Sequence, residues 1–240
     1  MNINLTVPSC WQELTPKQLR YVYYLLSQDY SADEVKTYCL CRWSGLDILN
    51  RDGDGFTARY DYKLIHLTAL QIAEVLSHLE WLDNLPSYPI RFATIDGHNA
   101  IAADLRGLTF EHYLVLDNLY TGYLHTQKTD LLVEMATLLY NAQSIKLSPE
   151  ERISIFYWFA SCKQLFARKF PNFFVTAPVS NNTDLHKQLE DGVNAQIRAL
   201  TKGDITREDI VLKADVYRAL TELDALAREY EELNKSSKSL

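Results

Sequence analysis

Three segments of this chain spell out how a helix begins, and together they decide most of what it can fold into. Thr15-Pro16-Lys17-Gln18, Ser31-Ala32-Asp33-Glu34 and Ser148-Pro149-Glu150-Glu151 each set a hydroxyl residue three positions ahead of a Gln or Glu. In that spacing the hydroxyl accepts from the third backbone N–H, and the Gln or Glu side chain accepts from the hydroxyl residue's own N–H, so two donors a helix start leaves unpaired are satisfied. Proline fits the first helical position in two of the three. Leu14 and Tyr30 stand where they can staple to Leu19 and Val35. The expected helices run from Pro16 to about Ser27 and from Ala32 to about Ser44, the second ending at Gly45. The third start opens a segment carrying Ile153, Ile155, Phe156, Tyr157, Trp158, Phe159, Cys162, Leu165 and Phe166. A helix apolar on nearly every side belongs in the middle of a bundle. Thr109 caps a further helix through about Leu124, and residues 130–140 form another.

A chain of 240 residues with 47% apolar and 23% charged residues can bury a substantial core. Only eight residues are glycine, and none stands in a phosphate-cradling GxGxxG or GxxxxGK[ST] array, which argues against a Rossmann or P-loop enzyme. The net charge of -7 makes nucleic acid and anionic membranes unexpected partners, because affinity for polyanions comes from Lys and Arg. Cys10, Cys39, Cys41 and Cys162 show no CxxC pairing and read as reduced thiols in or near the core. The first residues lack a basic stretch followed by an apolar one, and the most apolar run, Ile153 to Ala160, is far short of a membrane span. The expectation is a cytoplasmic, unanchored protein.

The organisation read from the sequence is mainly α: a helical bundle with a small β hairpin and a C-terminal amphipathic helical tail. Residues 1–170 form the body, with a hairpin inserted at about 56–62 and 90–95; Leu64 to Leu82 between them reads as one long helix. Asp96-Gly97 turns the second strand. Residues 171–183, with two prolines and three asparagines, read as a linker. The tail, 184–240, starts with a helix to Leu200, breaks at Gly203 and restarts at Thr206, with an Ile205/Ile210 staple. Val216, Leu220, Leu223, Leu226, Tyr230 and Leu233 then form a stripe suited to docking on a bundle or a partner helix, in cis or in trans. Phe173 and Phe174 join them as candidate contact residues.

Two motifs carry other chemistry. Asn50, Asp52, Asp54 and Asp61 occupy positions 1, 3, 5 and 12 of a calcium loop, with Gly55 at position 6, although Asp replaces the bidentate Glu at position 12. The alternative is a polar turn in which Asp-Gly supplies the reversal. The first two helices resemble the opening of response-regulator helix-turn-helix domains, where an "LT" start and a capping Ser after the turn recur. The segment from Gly45 to Gly55, where a basic recognition helix would enter DNA, is acidic. His66, His78, His98, His112, His125 and His186 fall into no HExxH or HxH spacing, and no GxSxG elbow is present, so no catalytic residues and no enzyme activity are expected.

The opening LTPKQLRYVYYLL (residues 14–26), the helical body and the tail LTKGDITREDIVLKADVYRALTELDALAREYEELNK (residues 200–235) resemble small accessory and structural proteins of tailed phages and prophages, tail-assembly chaperones among them. That resemblance implies a non-enzymatic assembly protein, acting in the host cytoplasm or with the virion through helix-mediated contacts with other virion or assembly proteins. A homo-oligomer is included in the expectation, and no cofactor is. It implies no functional residue. A helix-turn-helix DNA-binding regulator and a calcium-modulated binding module are the alternatives.

Overall fold

Helices start where the capping residues stand. A computed structural model describes residues 7–52, 55–174 and 185–238. In chain order these form α1 (Pro16–Leu26), α2 (Ala32–Ser44), β1 (Asp47–Asp52), β2 (Gly55–Tyr60), β3 (Lys63–Thr68), α3 (Ala69–Ser77), β4 (Thr94–Ile95), β5 (His98–Asn99), α4 (Phe110–Thr126), α5 (Asp130–Leu139), α6 (Pro149–Lys169), α7 (Leu185–Thr201), α8 (Glu208–Leu212) and α9 (Val216–Lys238). The fold is mainly α, a helical bundle with small antiparallel sheets. At α1 the Thr15 N–H donates to Gln18 Oε1 at 2.9 Å and the Gln18 N–H donates to Thr15 Oγ1 at 3.3 Å. Ser31 and Glu34 repeat the exchange at α2, which stops at Gly45 with φ 73°. At α6 the Ser148 N–H donates to Glu151 Oε2 at 2.9 Å.

The core is built around α6. Ile155, Trp158, Phe159, Cys162 and Phe166 are buried on it, and α1 and α5 pack alongside. Polar atoms carried inward find partners: Trp158 Nε1–H donates to the Ala103 carbonyl at 2.6 Å, and Tyr140 Oη–H donates to the Phe92 carbonyl at 2.9 Å. Trp11, Tyr23, Phe92 and Tyr157 make an aromatic cluster between α1 and α6, with ring centroids 5.6–5.9 Å apart. Arg20 clamps the start of α6 through Glu150 at 3.1 Å and Glu151 at 3.2 Å, where anions also suit the helix dipole. All four cysteines are free, and burial pushes the Cys39 thiol up to about 12, so it stays a packed, protonated side chain.

The β structure departs from the expectation. Residues 56–60 do form a strand, but it is the middle of a three-stranded meander ordered β1-β2-β3 and does not pair with 90–95. Thr94–Ile95 pairs instead with His98–Asn99 across the Asp96-Gly97 turn. Leu64 to Thr68, expected to be helical, is β3, in register with Gly55–Arg59. The helix start lies later: Thr68 N–H donates to Gln71 Oε1 at 3.0 Å and Gln71 N–H to Thr68 Oγ1 at 3.3 Å, a fourth reciprocal cap that fixes the strand-to-helix switch. Leu79 and Leu82 are buried beyond the end of α3, which itself buries no residue.

The tail departs as well. The expected continuous helix from Thr206 is broken into a 3-10 turn (Ile205–Arg207), α8 and α9, because residues 214–216 run beside residues 108–110 of the body. Phe110 N–H donates to the Ala214 carbonyl at 2.8 Å and Val216 N–H donates to the Leu108 carbonyl at 2.9 Å. A backbone committed to those bonds cannot continue a helical ladder. Ile205 and Ile210 are both left exposed. Among the described residues no helix is long and apolar enough to cross a membrane.

Candidate functional site

Asp215 fastens the start of α9. Its carboxylate accepts from the Gly107 N–H at 2.9 Å and from the Tyr217 N–H at 2.9 Å, so one side chain ties α9 to the body and caps the helix. Tyr217 Oη–H donates to the Asp104 carbonyl at 2.9 Å, and its ring stands edge-on to Phe166 at 5.4 Å. Val216, Leu220 and Leu223, expected at a partner interface, are 0%, 0% and 4% exposed within this chain's own core. Apolar side chains already removed from water in cis have nothing left to contribute to a partner, so these three leave the candidate set.

Further along, α9 changes character. Leu226 is half-buried, while Tyr230 and Leu233 are each 68% exposed. The spacing 216, 219, 223, 226, 230, 233 alternates three and four throughout, so the stripe that docks in cis at one end continues without a phase change into solvent at the other. Its 23 residues span about 34 Å, long enough to be anchored at one end and presented at the other. This distal half is a candidate contact surface continuous with a docked one.

Phe173 and Phe174 lie elsewhere than a free linker would put them. The Asp224 carboxylate accepts from Asn172 N–H at 2.8 Å, from Asn172 Nδ2–H at 2.8 Å and from Phe173 N–H at 3.1 Å, strapping the chain after α6 onto α9. Desolvation, the largest single influence, raises the Asp224 carboxyl, but the bonds from Asn172 and Phe173 and the charge of Arg228 together outweigh it and hold the carboxyl below its ordinary value. The two rings meet edge-to-face at 4.8 Å and help line a cleft of about 500 Å³ with Tyr113, Asp117, Lys163 and Gln196. Lys163 is paired with Asp117, and its ammonium lies 5.5 Å from the Phe174 ring centre. The rest of the expected linker, from 175 to 183, lies outside the described residues.

The calcium-loop spacing is not realised as a loop. Asn50 is in β1, paired with Thr57, and Asp61 sits in the turn after β2, at the far end of that strand from Asp52, whose register partner is Gly55. An extended strand of this length carries Asp61 about 20 Å from the Asp52 end, whereas calcium needs its oxygens within about 2.5 Å of one point. Asp54 lies outside the described residues. Among the described residues no group of three or more His, Cys, Asp or Glu side chains is gathered as metal ligands. After the α1–α2 hairpin, where a recognition helix would follow, the chain forms β1.

Compared with known proteins, the chain matches no family model, no curated protein and no solved structure.

Proposed function

We propose that this protein is a non-enzymatic assembly protein that works by helix-mediated contact, with the distal half of α9 as its docking element. The observation that carries the reading is the division of one helix: Val216, Leu220 and Leu223 are locked in the core, while Tyr230 and Leu233 are exposed. Two large apolar side chains kept exposed on a rigid, anchored helix are what a helix-in-groove or helix-on-helix contact uses. The resemblance of the opening and tail segments to accessory proteins of tailed phages supplies the setting: assembly in the host cytoplasm, with other virion or assembly proteins as partners.

The test is co-expression with the products of neighbouring genes, followed by gel filtration with light scattering. The full chain should elute in a defined complex, and Tyr230→Gln/Leu233→Gln should elute alone with an unchanged circular dichroism spectrum. A complex that survives that double substitution would move the docking surface off α9.

A further inference from the structure

The charges around the exposed stripe of α9 are not evenly distributed. At 100° per residue, Glu222 and Glu229 lie on one side of the line through Leu223, Leu226, Tyr230 and Leu233, roughly 60° and 80° from its centre, while Ala227 and Asn234 take the other side. Arg228 and Lys235, the basic residues of this stretch, fall roughly 170° away, on the opposite side of the helix. Lys235 is turned there toward Glu231, at 3.6 Å. Glu229, Glu231 and Glu232 are all exposed, and Asp224 is already engaged with Asn172 and Phe173. One flank of the exposed stripe is therefore acidic and the other uncharged, with the cations facing away.

An acidic flank selects among occupants. A second copy of this chain packed antiparallel through the same stripe would set its own acidic flank beside this one, where like charges disfavour pairing, and a parallel copy would set Glu229 against an uncharged Asn234 and gain no charge pair. The chain's net charge of -7 adds repulsion at longer range. An apolar helix flanked by Lys or Arg would instead pair its cations with Glu222 and Glu229 while Tyr230 and Leu233 enter its seam. We infer that the distal half of α9 docks a basic amphipathic helix of another protein, one with apolar residues at three-four spacing and Lys or Arg at the flanking positions. This rests on the docking reading of α9 and adds the chemistry of the partner.

Two fluorescent synthetic peptides about three heptads long test it, both with Leu at the seam positions, one with Lys and one with Glu at the flanks. Anisotropy titration of the full-length chain should give at least about tenfold tighter binding of the Lys peptide at low salt, the gap closing to about threefold or less at about 0.5 M salt as screening sets in. Glu222→Lys/Glu229→Lys should reverse the preference. Tyr230→Gln/Leu233→Gln, which keeps every charge, should abolish binding of the Lys peptide and so separate docking from general attraction to an acidic protein. Equal binding of the two peptides that is lost in the Gln variant would keep α9 as a docking helix and overturn the basic partner. Binding unchanged in the Gln variant, or concentration-dependent dimerisation of the chain abolished by it, would overturn the inference outright.

Discussion

Tyr23 and Tyr140 are both buried tyrosines, yet their hydroxyls have opposite circumstances. Tyr140 donates to the Phe92 carbonyl, whereas the Tyr23 hydroxyl, buried in the aromatic cluster, has no hydrogen-bond partner among the described residues. A buried donor left unpaired costs about 1–3 kcal/mol, while a made bond contributes about 1 kcal/mol net. Tyr23→Phe should therefore leave stability unchanged or raise it by about 1 kcal/mol, and Tyr140→Phe should lower it by about as much, measured by chemical denaturation. The pH dependence has a definite sign. Burial raises the Tyr23 phenol above its ordinary value of 10.0, so its contribution to stability is intact below that pH and is lost as pH rises and the unfolded chain ionises. The advantage of Tyr23→Phe should widen above about pH 10, and an advantage that stays flat across that range would mean the hydroxyl reaches solvent.

Among the elements, the meander depends on Gly55 for a reason unrelated to turning. A Cβ there would meet the Leu67 carbonyl oxygen at 2.5 Å and His66 Nε2 at 2.7 Å, so β2 and β3 can only be this close with glycine at that position. Gly55→Ala should cost about 1–3 kcal/mol and strip amide-exchange protection from β1–β3 while leaving α4–α6 protected; uniform protection would contradict the strand pairing. The same residue shows why this region was the hard part to read. In the sequence, Gly55 falls on the glycine position of a calcium loop, and the polar run from Asn50 masks a strand that extends through Asp52. Leu64 and Leu67 fit a helical stripe only if the alternation from Ile65 to Thr68 is overlooked, and with it the cap formed by Thr68 and Gln71. Where caps stood alone, at Thr15 and Ser31, the helix starts were legible to the residue. The α9 stripe was legible as a stripe, but which part of it lies buried in cis was not, because a helix's own periodicity does not say whether its apolar face meets the same chain or another.

For the whole molecule, that distinction decides where the chain can be shortened. Val216, Leu220 and Leu223 together remove apolar surface worth on the order of 5–9 kcal/mol, which is comparable with the entire net stability of an ordinary domain. A chain ending at Thr183 should fail to melt cooperatively, whereas one ending at Arg228 should keep a transition within a few degrees of full length. Cooperative melting of the shorter chain would show that the body folds without its tail. The bond from Gly107 to Asp215 spans 108 positions of sequence. Phe166, which completes the docking place for α9, precedes Val216 by 50 positions, so on a ribosome adding about 5–20 residues per second that place is made roughly 2.5–10 s before α9 begins to appear. Throughout that interval the nascent chain carries a bare apolar face formed around Phe110 and Phe166, so synthesis rate and chaperone supply, as much as equilibrium stability, govern how much of this protein reaches its finished form.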